Sequence, residues 1–179
     1  MLKKDFEKLD GSVNRVPDFP KPGILFYDVT GILKNPESFK YCIDRMAEIY
    51  SNKNIDVVCG IESRGFVFAA ALADRLSLPL VLIRKKGKLP GKTYSCAYSL
   101  EYGKAEIEVH IDDVKEGQNF LLVDDLIATG GTLKAACELV LKGGARVTDV
   151  FGVIGLPFLN FKKVLSGVEI TTLIDYDSE

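Results

Sequence analysis

Two carboxylates set directly ahead of a glycine-threonine turn carry the clearest chemistry in this chain. The segment reads Asp124-Asp125-Leu126-Ile127-Ala128-Thr129-Gly130-Gly131-Thr132 and follows the apolar stretch Phe120 to Val123. Glycines let a backbone fold tightly and aim successive N–H groups at one point, and a helix starting there adds the positive end of its dipole. With the hydroxyls of Thr129 and Thr132 as further donors, Ala128 to Thr132 read as a cradle for a phosphate. Asp124 and Asp125 alone would repel that phosphate. They fit a ligand that also offers hydroxyls, or brings a cation, close by. A sugar phosphate meets both demands, with its phosphate on the loop and its diol on the two acids. The segment lacks the Gly-Lys-[Ser/Thr] lysine of a P-loop and does not match Gly-x-Gly-x-x-Gly.

The elements that must hold this cradle follow from hydrophobic periodicity. Leu2, Phe6 and Leu9 have the spacing of a short helix. Arg15 to Gly23 is too rich in proline for a helix or a central strand. Asn35-Pro36-Glu37 starts a helix with a capping side chain, a first-turn proline and an acid near the positive dipole end; Phe39, Ile43, Met46 and Tyr50 form its apolar face. Ile55 to Ile61, Leu80 to Ile83, Phe120 to Val123, Val147 to Val153 and Glu169 to Ile174 read as apolar strands. Helices are expected through Ala69, Ala73 and Leu76, and from Leu133 to Lys142 up to Gly143-Gly144. Ala105, Ile107, Val109 and Ile111 alternate with Glu106, Glu108, His110 and Asp112, the pattern of a half-buried antiparallel strand. The turn at Tyr102-Gly103-Lys104 pairs it with Tyr98-Ser99-Leu100 as an inserted hairpin. Continuous apolar strands alternating with helices predict an α/β fold whose parallel sheet is covered on both faces.

Composition bounds the rest. The 179 residues suit one domain, 47% of them hydrophobic and 27% charged. A net charge of -2 argues against a nucleic-acid binder. No apolar run reaches membrane-spanning length and no signal-peptide core is expected at the start. Cys42, Cys59, Cys96 and Cys137 are scattered, and His110 is the single histidine, so a zinc site has few ligands to draw on. Reduced thiols and a cytoplasmic location are the expectation.

The phosphate segment resembles the signature of the phosphoribosyltransferases. Pro17-Asp18-Phe19-Pro20-Lys21-Pro22-Gly23-Ile24-Leu25-Phe26, Ser63-Arg64-Gly65-Phe66, Ile83-Arg84-Lys85, Gly87-Lys88-Leu89-Pro90-Gly91 and Ser99-Leu100-Glu101-Tyr102-Gly103-Lys104 resemble the adenine-using branch of that family. In that order they cover most of the chain from about Val16 to Leu141. The resemblance implies a type I phosphoribosyltransferase-like fold: a central parallel sheet flanked by helices, an N-terminal hood at about residues 12–34 and a flexible hairpin loop at about residues 85–112. It implies 5-phosphoribosyl 1-diphosphate and adenine as substrates, Mg2+ carried by the sugar diphosphate rather than held by protein ligands, and a homodimer.

The same resemblance assigns roles. Ala128, Thr129, Gly130, Gly131 and Thr132 would hold the 5-phosphate, and Asp124 and Asp125 the ribose hydroxyls. Phe26 would stack on the purine while the backbone of Leu25 and Tyr27 reads the base edge; Tyr27 stands where arginine is frequent in the family. Arg64, Arg84, Lys85 and Lys88 would meet the diphosphate, stabilising charge as it departs. Lys86 and Lys92 stay open between that role and a solvated loop. The Glu62-Ser63 bond corresponds to one that tends to be cis in the family. Glu101 would share a proton with adenine N7, with Tyr102 beside it on a loop that closes over the site and excludes water. Ala128 replaces an aspartate that hypoxanthine-guanine enzymes use in proton transfer, which favours a 6-aminopurine. The competing readings are a relative acting on another base, and a non-catalytic regulator that senses the sugar diphosphate. The chain shows neither the DNA-binding extension nor the basic face expected of the latter.

Overall fold

The computed structural model describes residues 3–100 and 103–178. Helix α1 (Lys3–Asp10) leads into a two-stranded antiparallel sheet, β1 (Asn14–Val16) with β2 (Phe26–Asp28). Between them the proline-rich segment forms no regular element, as a chain short of N–H donors must. A short helix α2 (Thr30–Lys34), which periodicity did not predict, precedes α3 (Pro36–Tyr50). Asn35 caps α3, its Oδ1 accepting from Glu37 N at 3.1 Å and Ser38 N at 3.2 Å. The expected face of α3 is the buried one, with Ile43, Met46 and Tyr50 in the core and Phe39 packed on it.

Next come β3 (Val57–Ile61), α4 (Gly65–Leu76), β4 (Leu80–Lys85), the hairpin β5 (Thr93–Leu100) and β6 (Gly103–His110), β7 (Asn119–Ile127), α5 (Gly131–Lys142), β8 (Arg146–Gly155), α6 (Phe161–Val164) and β9 (Glu169–Asp175). The main sheet has seven strands in the order β5-β6-β4-β3-β7-β8-β9. From β4 to β9 neighbours run parallel, while β6 pairs antiparallel with β4 through Arg84↔Glu108 and Lys85↔Ile107. The hairpin is therefore an extension of the sheet edge as well as an insertion in the chain.

Alternation splits the buried strands between two cores. Val58, Leu121 and Val123 pack with α3 and α4, whereas Val57, Cys59, Phe120 and Leu122 pack with α5. This is the parallel sheet covered on both faces that the apolar runs predicted.

Two expectations are corrected. Strand β7 does not stop at Val123: it continues through both acids to Ile127, because β8 keeps pairing with it at Asp124↔Gly152, Leu126↔Ile154 and Ile127↔Gly155. Glu108 does not face solvent with the polar side of β6. It is 2% exposed, and backbone N–H donors of the 86–89 turn draw it inward.

Candidate active site

The parallel strands end together at one edge of the sheet, which is where such sheets hold ligands. At the end of β7 the chain turns through Gly130, whose φ of 81° lies in the left-handed region that glycine tolerates best. Helix α5 begins at the next residue, so its unpaired N–H groups and dipole point back at the turn. Asp124 and the loop from Leu126 to Leu133 line a concavity of about 90 Å³, the size of an anion's seat. Ala128 lines it and also packs on the apolar core.

Beside this seat lies a larger cavity of about 630 Å³, walled by Glu62-Ser63-Arg64 after β3, Lys85 and Lys86 at the end of β4, Tyr98 of the hairpin, and Asp124 and Asp125. Asp124, Leu126 and Thr132 line both spaces, so the phosphate seat opens onto the larger one. Gly65 sets the spacing: a Cβ there would stand 2.7 Å from the Val123 carbonyl oxygen, so only glycine lets α4 start this close to β7. That approach brings Arg64 Nε to 2.5 Å from Asp125 Oδ2. The Arg64 guanidinium also lies over the Phe26 ring, 5.7 Å from its centroid. The Glu62-Ser63 peptide is cis, as the resemblance implied.

The site sets two crowded carboxylates beside a firmly protonated guanidinium. Burial, then the adjacent Asp125 charge, push the Asp124 carboxyl well above the usual carboxylate range. Burial opposes charge on Arg64, but the hydrogen bond and attraction of Asp125 outweigh it and hold the guanidinium firmly protonated. Glu62 is also desolvated, yet Lys85 N at 2.9 Å and Arg84 Nε at 3.3 Å keep it below the ordinary glutamate range.

The structure gathers most of the expected residues. The phosphate loop, both acids, Arg64 and Lys85 meet around the two cavities. Phe26 lies on the Arg64 side of the hood, edge-on to Phe19 with centroids 5.1 Å apart. Leu25 packs on the core. Strand alternation turns the Tyr27 side chain to the opposite face of β2, where it is 5% exposed and stacked on Tyr176. Arg84 and Lys88 do not line the large cavity; Arg84 reaches Glu62 and the Lys88 carbonyl oxygen instead. Lys86 is a cavity residue, whereas Lys92 is not. Glu101 and Tyr102 lie outside the described residues.

Three further residues belong to the site's framework. Glu62 and Glu108 brace the basic turn from both ends, Glu108 Oε1 accepting from Lys88 N and Leu89 N at 2.9 Å each. Tyr98 accepts or shares the Thr132 hydroxyl proton across 3.1 Å, joining the hairpin to the phosphate loop. An acid closing a wholly apolar strand was the available signal for Glu62. For Glu108 and Tyr98 the alternating pattern carried no such signal.

A glycine-threonine phosphate seat at the sheet's carboxyl edge, two carboxylates at its rim and a basic wall opposite define a sugar-phosphate group-transfer site. Residues 28–155 match the family model described as a phosphoribosyl transferase domain. The chain is 61% identical to adenine phosphoribosyltransferase of Treponema denticola over 171 residues, 96% of this chain and 90% of that protein. Among solved structures, adenine phosphoribosyltransferase of Thermoanaerobacter pseudethanolicus superposes with a TM-score of 0.92 at 42% identity, over 96% of this chain and 99% of that one. The Saccharomyces cerevisiae adenine phosphoribosyltransferase complexed with an imino-altritol bisphosphate and adenine superposes with a TM-score of 0.89 at 36% identity, over 96% and 99% of the two chains. The chain belongs to the adenine phosphoribosyltransferase family.

Proposed function

We propose that this protein transfers the 5-phosphoribosyl group from 5-phosphoribosyl 1-diphosphate to adenine, releasing AMP and diphosphate. The observation that carries this reading is the shared wall of the two cavities. Asp124 and Thr132 face both, so a phosphate seated on the loop places a ribose against the carboxylates and points its anomeric carbon into the larger space. In the reaction the bond from that carbon to diphosphate breaks as the bond to adenine N9 forms. Asp124 and Asp125 accept the ribose hydroxyls, and Ala128 to Thr132 hold the 5-phosphate. Arg64 and Lys85, which line the larger cavity, supply positive charge on the side where diphosphate leaves, and Arg84 and Lys88 add to it from beside the cavity. Glu62 fixes the end of β4 that carries Arg84 and Lys85, and Glu108 the turn that carries Lys88. Phe26 stacks on the purine, with the backbone of Leu25 and Tyr27 along its edge. Glu101 takes the N7 proton as N9 attacks, and Tyr102 closes with it over the site.

Magnesium fits this arrangement. No protein ligand is assigned to it: Asp124 and Asp125 keep the ribose hydroxyls, and their negative charge on the cavity wall suits a cation carried in by the sugar diphosphate. Mg2+ arriving on the sugar diphosphate would neutralise charge on the leaving group. We further place the protein in the cytoplasm as a homodimer of a single phosphoribosyltransferase domain, 1–179, with its hood at about residues 12–34 and its flexible loop at about 85–112. The four free thiols support a reducing compartment.

The test is a base panel. Purified protein with 5-phosphoribosyl 1-diphosphate and magnesium is given adenine, guanine, hypoxanthine, xanthine or orotate, and nucleotide formation is followed. AMP from adenine alone is expected. Product from an oxopurine or orotate overturns the base assignment. Binding of the sugar diphosphate with no product from any base overturns catalysis in favour of a sensor.

A further inference from the structure

The hood that would cover the base has two faces. Phe26 takes the face toward Arg64 and the cavity, and Tyr27, the next residue, takes the other. Behind the hood, Tyr27 stacks on Tyr176 with ring centroids 4.0 Å apart and planes 7° from parallel. Arg15, the cross-strand neighbour of Tyr27, lies over both rings, 6.0 Å from the Tyr27 centroid and 5.4 Å from that of Tyr176. The Tyr176 hydroxyl donates to Asp10 Oδ1 at 2.7 Å, and Arg15 closes the group with a 2.5 Å contact to the same oxygen.

Tyr176 is at the same time tied to the main sheet. It follows β9, and its N–H donates to the Gly155 carbonyl oxygen at 3.0 Å. Gly155 pairs with Ile127 at the end of β7, one residue before the phosphate loop opens. The path from the back of the hood to the phosphate seat is thus a ring stack and two sheet ladders. Among the described residues the hood contributes no strand to the main sheet; its β1 and β2 pair with each other.

We propose that Tyr176, with Asp10 and Arg15, is a positioning residue that contacts neither substrate itself and fixes the base-binding hood relative to the sugar-phosphate seat. The inference rests on the adenine reading above. Transfer needs N9 and the anomeric carbon aligned, and the hood and the seat that hold these two atoms are joined behind the hood by this ring stack, as they are joined in front by Arg64 lying over Phe26. A loosened stack lets the hood shift and weakens adenine, while the loop and acids that hold the sugar diphosphate stay in place.

The test is steady-state kinetics on the full chain, with KM measured separately for adenine and for 5-phosphoribosyl 1-diphosphate. Tyr176→Ala is expected to raise the adenine KM about tenfold and leave that of the sugar diphosphate within about twofold, since both the stack and the Asp10 hydrogen bond are lost. Tyr176→Phe keeps the stack and is expected to stay within about threefold of the parent for both. If Tyr176→Ala does not fold, Arg15→Gln carries the test through a side chain on the surface, with an expected rise of about threefold in the adenine KM alone. An unchanged adenine KM, or two KM values rising together, overturns the proposal. Adenine turnover by the parent protein separates the two levels of inference. Without it the activity reading falls and this role falls with it; turnover without the KM split removes this role alone.

Discussion

Arg64 Nε sits 2.5 Å from Asp125 Oδ2, so the arginine that follows the Glu62-Ser63 turn closes on a carboxylate facing the sugar site. The same guanidinium lies over Phe26, the residue expected to stack on the base. One side chain therefore touches the walls of both the sugar and the base, rather than projecting only toward a leaving diphosphate.

Arg64→Gln keeps a polar side chain near Asp125 but removes the charge. A hydrogen bond to a charged group contributes roughly 1.5–3 kcal/mol, and the partial exposure of Arg64 places it at the low end. The expected loss in kcat/KM for the sugar diphosphate is about tenfold. Steady-state kinetics beside a melting curve check this; an unaltered kcat/KM in a folded variant removes Arg64 from the site.

Asp124→Asn and Asp125→Asn test the diol assignment. Each leaves the shape of the β7 terminus in place and weakens the acceptor offered to a ribose hydroxyl. Affinity for 5-phosphoribosyl 1-diphosphate, read by calorimetry, is expected to fall by about tenfold or more in each. Asp124→Asn also removes one of two adjacent like charges whose repulsion, with burial, raises its pKa. That variant is accordingly expected to lose affinity without losing thermal stability. Unchanged affinity in both variants refutes the assignment.

How much of this site was readable beforehand depends on how local each signal is. The phosphate loop announced itself because glycine, threonine and helix start are consecutive, and Gly130 takes the left-handed φ such a turn needs. The α/β class followed from unbroken apolar runs such as Val57–Ile61, buried throughout. Partnerships between distant segments left no trace of that kind. Nothing adjacent to Glu108 says that Lys88 and Leu89 donate to it across the turn. Nothing near Tyr176 says that it meets Tyr27 and Asp10, 166 positions away in the second case. The extent of β7 is hidden from the local sequence for the same reason: whether Asp124 belongs to a strand depends on Gly152 of β8.

Gly130→Ala probes the phosphate seat through its backbone. The left-handed φ disfavours any Cβ, and one placed here would stand 3.3 Å from Phe161 and Leu165 side-chain carbons. A loss of about 1–2 kcal/mol in stability is expected, with weaker sugar-diphosphate binding as the N–H groups are re-aimed. Denaturant unfolding with and without the sugar diphosphate measures both. Full stability with full binding contradicts the strained-turn account.

Glu108→Gln gives a prediction with a direction in pH. Burial alone would raise the Glu108 pKa, but the N–H groups of Leu89 and Lys88, then the Thr93 hydroxyl, outweigh it and hold the folded-state value below the ordinary range. A lowered folded pKa means that the unfolded chain binds the proton more readily, so stability from this group is complete above the ordinary glutamate pKa and is lost as pH falls through the folded one. Near neutral pH the variant is expected to melt several degrees below the parent, from a hydrogen-bonding loss of roughly 1.5–3 kcal/mol. Below about pH 4.3, where glutamate protonates in the unfolded chain, the gap between the two should narrow steadily. Because Glu108 fixes the turn bearing Lys88 and not the hood, the variant should also raise the KM for the sugar diphosphate more than that for adenine. Melting curves across the acid range, with both KM values at neutral pH, check the two halves. A melting gap that does not vary with pH rules out the ionised carboxylate as the stabilising form, and equal changes in the two KM values disconnect Glu108 from the diphosphate turn.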